Sequence, residues 1–449
     1  MARVDWGRVG EYWRLCLLRL EDQEKDGKGV VSISPQGASA HEAVRGVGPA
    51  GLDVSSKSEA WKAGYAEAVM RTALAAEHLQ GMVYDRRQDA FFPKSTVIGP
   101  SNPSPRRLPP QSTPPREEDC EDAFPNPAVL YNRIAHGVGF TPKQRIDALH
   151  AHANWLEFNK DTLGAEEQYQ YAIAVARSSL PSHSIPTNST EIAVNRPSNA
   201  DINAHPESAT SNLVNSLTAQ ATYLSRTSRL SEALPILLSN LHTVRYAISH
   251  PSQPSTSGTI TQPKPPGPLA GWSAKLFRPD EFPLPLSTGN EPLSSVAPAA
   301  LKCREAELMA YIGEILFSTS TSRQDDGLSW TRSAAESAAV TLREIAETSR
   351  TVQGDGAQKE RERERKTGME KAERERCREC LVMGLVNWEV MAGRLAERGE
   401  QRQESTGWKG WFGGSRTMRE VDGGLQRAEM LKSGLIRDGL VEPWAFVGK

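Results

Sequence analysis

The sequence has only five cysteines in 449 residues: Cys16, Cys120, Cys303, Cys377 and Cys380. An odd, sparse set in a long chain does not read as a disulfide framework. It points to a reducing compartment, or at least to one where disulfides are not structural. No apolar run reaches the ~18–20 residues that a membrane-spanning helix needs. The nearest, Leu381 to Ala396, is broken by Glu389 and Arg394. A basic surplus is missing as well, since 53 Lys and Arg face 55 Asp and Glu for a net charge of −2. That balance argues against a nucleic-acid footprint. Alternating strand patterns are nearly absent. No HExxH, Walker-type loop or GxSxG occurs. The chain is therefore not expected to be an enzyme or to need a cofactor, a metal or a small-molecule substrate. The first residues, MARVDWGRVGEYWRLCLLRL, lack a signal-peptide core, and Asp5 and Glu11 weaken a transit-peptide reading. A helix beginning so abruptly leads us to expect a further segment before it.

What is present is helix periodicity, interrupted by inserts. Proline is clustered, with nine in the 30 residues from Ile98 to Pro127 and eleven in the 48 from Pro251 to Pro298. Such segments bury too little apolar area to offset the entropy of ordering. The expected organisation is N-terminal helices over 1–88, possibly a degenerate repeat, then a disordered linker over 89–126. Paired helices follow over 127–249, a Pro-rich insert over 250–297, and further paired helices over 298–449 with charged and Gly/Trp-rich inserts. The expected fold class is all-α, a solenoid of about four helix pairs with long disordered inserts.

Two pairs carry most of the information. Leu149, Ala153 and Leu156 share one helix face, and Ala165, Tyr169 and Ala172 share the face of the next helix. The pattern returns with Leu217, Ala221 and Leu224 followed by Ala233 and Leu237. From Ala153 to Ala165 is twelve residues, and so is from Ala221 to Ala233. Helices cross at about 8–10 Å only when small side chains occupy the contact. Pro235 is expected in the first turn of its helix, where proline is tolerated. A looser pair runs through Leu308, Ile312 and Gly313 and on to Trp330, Ala334 and Ala338. A further first-helix pattern includes Cys377, Leu381 and Trp388, with the last helix as its partner.

These residues resemble the tetratricopeptide repeat family, whose unit is a helix–turn–helix of about 34 residues. The resemblance covers roughly half the chain. More narrowly, QRIDALHAHANWLEF, RTSRLSEALPILLSNLHTVR, CREAELMAYIGEILF and GLSWTRSAAESA are similar to fungal mitochondrial members of that family, like the adaptor subunit of the inner-membrane i-AAA protease complex. The resemblance implies a non-enzymatic scaffold whose concave helical surface binds proteins or peptides. It also implies a mitochondrial location and a role in protein quality control, presenting unfolded substrates to the protease. That family carries an N-terminal membrane anchor, and this chain shows no transmembrane segment. The alternatives are a respiratory-complex assembly or maintenance factor, an RNA-processing scaffold, and a cytoplasmic location.

Candidate partner-binding residues are His150, Asn154, Tyr171 and Gln220, on the pairs just described. Repeats of this family that clamp a chaperone's C-terminal carboxylate use basic and Asn residues on first helices. His150 and Asn154 match two such positions, but Ala219 stands where Asn belongs, so a solvated helix face is the better reading. Two aromatic-glycine inserts, Gly271 to Phe277 and Gly407 to Gly413, add Trp408 and Trp411 as partner-binding candidates against the simpler reading of solenoid caps. The Cys377–Cys380 spacing reads as two helical cysteines one turn apart, because zinc needs two more ligands and a thioredoxin-like site needs a βαβ setting. Gly46 to Gly51 fits GxGxxG but lacks the flanking strand and helix. His150 and His152 point to different faces and cannot readily share a metal. Lys359 to Arg376 reads as a solvated charged helix.

Overall fold

The structure, a computed structural model, describes residues 5–33, 51–109, 112–179, 206–251, 288–351, 360–405 and 414–446. Among them the chain is all-α apart from two small antiparallel sheets. It divides into two compact units, one of residues 1–179 with 279–290 and the other of 180–278 with 291–449. The expected 127–249 block is thus divided, with one helix pair in each unit.

In the first unit, α1 (Trp6–Glu21) packs on α2 (Glu59–His78), α2 on α3 (Pro127–Ala135), and α3 on α4 (Pro142–Phe158), which pairs with α5 (Thr162–Ser178). N-terminal side chains explain several of these starts. Asp5, Ser58, Asn126, Thr141 and Asp161 each accept a backbone N–H of the helix they precede. Thr141 and Gln144 form a full capping box, with Pro142 in the first turn. The core gathers Leu17, Tyr65, Val69, Ala73, Leu130, Tyr131 and Ile134. Its edge is polar but paired: the Tyr65 hydroxyl and the Arg133 guanidinium both donate to Glu21, at 2.7 and 2.5 Å, and Tyr131 donates to Glu77 at 2.6 Å. One carboxylate thereby ties α1, α2 and α3 together.

The segment 89–126 corrects the disordered-linker expectation. Strand β3 (Met82–Asp85) pairs antiparallel with both β4 (Ala90–Pro93) and β5 (Cys120–Asp122). A second ribbon joins β1 (Val31–Ile33) to β2 (Gly51–Asp53), numbering by chain position. Order in the Pro-rich stretch comes from distant hydrogen bonds. Asn102 donates to the carbonyls of Ser95 and Val97, Glu117 accepts from the Ser101 N–H, and Ile98 donates to Pro115. Proline removes donors without preventing side chains from supplying others.

In the second unit, α6 (Ser211–Arg226) pairs with α7 (Leu230–Ser249), and α7 packs on α8 (Pro298–Thr319). Helix α8 pairs with α9 (Gln324–Thr351); α10 (Glu360–Ser405) packs on both, and α11 (Gly414–Arg437) packs on α10. Pro235 lies six residues into α7, beyond the expected first turn, with its ring exposed. Helices α8 and α9 cross closely at two glycines. A Cβ on Gly313 would sit 2.8 Å from the Gly327 oxygen, and one on Gly327 would sit 2.7 Å from the Gly313 oxygen. Ala335, Ala338 and Ala339 extend that close approach toward a core of Leu342, Leu381, Leu385, Trp388 and Ala392.

The expectation that no cysteine is structural is also corrected. Cys303 of α8 and Cys377 of α10 form a disulfide with Cα atoms 5.1 Å apart. Cys377 and Cys380 both face the core, as two cysteines one turn apart, but the first is bonded.

Candidate functional site

The candidate residues lie on two equivalent helix hairpins, α4–α5 in the first unit and α6–α7 in the second. In each, the first helix ends in the same closure. The residue after the cap is left-handed, Lys160 at φ 64° and Ser228 at φ 63°. Its N–H returns to the carbonyl three residues back, Glu157 or Ser225. The next N–H returns five residues, from Asp161 to Leu156 or from Arg229 to Leu224. This double bond pattern is the Schellman motif. All corresponding positions are offset by 68 residues, including Leu149 with Leu217, Ala153 with Ala221 and Ala165 with Ala233. Ala153, Ala165, Ala172, Ala221 and Ala233 are fully buried, and Leu149, Tyr169, Leu217, Leu224 and Leu237 nearly so. Leu156 is half-buried.

On the α4–α5 hairpin, His150 and Asn154 gather around Tyr169, whereas Tyr171 meets Arg145 and His136 instead. The Tyr169 hydroxyl faces two acceptors, Glu157 Oε1 at 2.6 Å and Asn154 Oδ1 at 2.8 Å. Asn154 itself is exposed. Tyr171 is half-buried; its hydroxyl accepts from Arg145 Nη2 at 3.1 Å, and its ring stacks on His136 at 5.3 Å. His150 turns its ring toward Tyr169, 6.0 Å away, and its Nε2 is buried with no hydrogen-bond partner. Burial holds His150 down to about 4. His152 points elsewhere, between Tyr131 and Trp155, with Nδ1 buried and unpartnered, and burial again lowers it to about 4.

Gln220 belongs to the other unit and is 4% exposed, with Oε1 buried and unpartnered. It is an interior residue of α6. That hairpin has an unusually polar seam: Asn240 Nδ2 donates to Thr218 Oγ1 at 3.1 Å, while Ser216, Thr218 and Thr243 bond the carbonyls four residues back. Trp408 and Trp411 lie outside the described residues, as does the Gly271–Phe277 insert.

Sequence reasoning missed Arg145, Glu157 and His136. Each meets a tyrosine of α5, Arg145 and His136 at Tyr171 and Glu157 at Tyr169, a pairing that spacing along the chain does not reveal. Among the described residues, no group of three or more His, Cys, Asp or Glu side chains is placed to hold a metal ion. No described helix is long and apolar enough to cross a membrane. No family model, curated protein or solved structure matches the chain.

Proposed function

We propose that this chain is a non-enzymatic scaffold of the tetratricopeptide type. Its first helices receive segments of other proteins, and in mitochondria it acts as an adaptor presenting unfolded substrates to the i-AAA protease. The observation that carries the scaffold reading is the pair of hairpins with matched alanine seams and matched Schellman closures, 68 residues apart. A hairpin with apolar stripes on both sides needs neighbours to bury them, and stacked neighbours leave one face of the first helices for a ligand. The mitochondrial adaptor role comes from the sequence resemblance. Of the candidate contacts, Asn154 is exposed and Tyr171 half-buried, whereas His150 and Gln220 present buried, unpartnered atoms. The first-helix contact surface is therefore assigned to Asn154; Tyr171 lies on the second helix, α5, and His150 and Gln220 turn buried atoms inward.

The test is affinity recovery of the full chain from mitochondria, paired with proximity labelling. Protease subunits are expected in both, and Asn154→Arg is expected to reduce their recovery several-fold without changing the melting temperature. Recovery of no protease subunit removes the adaptor role.

A further inference from the structure

Cys303 and Cys377 are 74 residues apart in sequence, lie on different helices and are both fully buried. A third thiol, Cys380, sits one turn along α10 at 4% exposure and faces the same core. The choice among these three is written in their neighbours. Cys303 stands between Lys302 and Arg304, and Cys377 between Arg376 and Arg378. Cys380 follows Glu379, Cys120 stands between Asp119 and Glu121, and Cys16 between Leu15 and Leu17. Only the two bonded cysteines have a cation on each side. In the open chain, adjacent cations favour the thiolate, which is the attacking form, and adjacent acids disfavour it.

We propose that Cys303 and Cys377 are an oxidation site. Their cationic flanks select them, and a thiol–disulfide oxidoreductase bearing a reactive disulfide joins them before α8 and α10 close over the bond. One thiolate of the pair attacks a sulfur of the oxidant's disulfide, forming a mixed disulfide and expelling the oxidant's other sulfur as a thiolate. The second thiolate attacks the chain's sulfur in that mixed disulfide, forming the Cys303–Cys377 bond and expelling the oxidant's remaining sulfur. Two electrons pass to the oxidant, and the two protons lost by the cysteines end on its thiols. The order of events follows from burial, since no oxidant reaches a fully covered pair. Cys380 stays out of the exchange: in the open chain the preceding Glu379 disfavours its thiolate, and once the core closes, burial first and the Glu307 charge second push its thiol up to about 12. The consequence is a second unit locked by an oxidising compartment, contrary to the reducing setting that the cysteine count alone implies. The bond would form whatever protein the hairpins hold.

The deciding experiment uses the full chain isolated from its own cells, with free thiols alkylated in denaturant at lysis, before any reduction. It is then reduced, still denatured, and alkylated with a second label. The first label is expected on Cys16, Cys120 and Cys380, and the second on Cys303 and Cys377. Cleavage after glutamate separates Cys377, in peptide 376–379, from Cys380, in peptide 380–389, so the linked partner is identified without ambiguity. First label on all five cysteines overturns the proposal, and so does a Cys303 crosslink to peptide 380–389. Because the mapping is done on the unaltered chain, it decides even where Cys303→Ser fails to fold. In the denatured, reduced chain, Lys302→Glu with Arg378→Glu is expected to slow oxidation by glutathione disulfide several-fold. An unchanged rate overturns the role of the flanking charges.

Discussion

Two imidazoles on one helix decide how the first unit responds to acid. His150 and His152 are both held by burial at about 4, below the ordinary histidine value of about 6.5. A base with a lowered folded-state value takes up fewer protons than the unfolded chain, so stability falls as pH falls. At pH 7 neither state is protonated and nothing is lost. Between about 6.5 and 4 the unfolded chain charges both rings while the folded chain refuses, at a cost of about 3 kcal/mol per ring by pH 4. The groups facing them are few: Asp147 and Lys143 act on His150, and His136, Gln168 and Asp161 on His152. Hydrogen exchange of α4 amides is expected to rise from pH 6.5 to 5 and to rise much less in His150→Asn/His152→Asn. An identical pH profile in that variant refutes the assignment. The burial of His150 was not legible in the sequence. The sequence reading placed it on a solvated helix face, whereas its ring turns toward the Tyr169 ring on the next helix, 6.0 Å away. Gln220 was missed for the same reason, being a polar side chain enclosed by neighbours that spacing along one helix does not reveal. Ala153, Ala165, Ala221 and Ala233 were legible because small residues twelve apart have one obvious use in a hairpin.

At the scale of elements, helix closure is the feature that repeats most faithfully. A left-handed residue other than glycine costs about 1–2 kcal/mol, and both hairpins place one there, Lys160 and Ser228. Glycine would remove that cost but gives back roughly 0.5–1 kcal/mol through its larger unfolded-state entropy. Lys160→Gly and Ser228→Gly are each expected to stabilise the chain by about 0.5–1 kcal/mol, read as a higher denaturation midpoint with an unchanged slope. Asn159→Gly, at φ −81°, is the control and is expected to stabilise nothing. Loss of stability in both glycine variants would show that the Lys160 and Ser228 side chains contribute more than the backbone geometry indicates. The helices themselves were readable, since period 3.6 persists over four or more turns. The β3–β4–β5 sheet was not readable. Its strands are three or four residues long, and it forms through pairing between Tyr84 and Glu121, distant in sequence and flanked by prolines.

At the scale of the whole molecule, each unit carries its own chemical vulnerability. The first holds the two buried imidazoles; the second holds the buried disulfide. A bond closing a loop of about 74 residues restricts the unfolded chain by about 4 kcal/mol in the chain-entropy model. Removing it must therefore be felt where α8, α9 and α10 meet. Local opening reports such losses by region, because exchange protection follows the stability of each cooperative unit. Mild denaturant with a phosphine reductant at pH 7 is expected to accelerate amide exchange in α8, α9 and α10 and to leave α4 and α5 unchanged. Acid at pH 5 without reductant is expected to do the reverse. If reduction instead loosened α4 and α5 first, the staple would not be a local feature of the second unit. The division into two separately stabilised helical cores would then have to be abandoned.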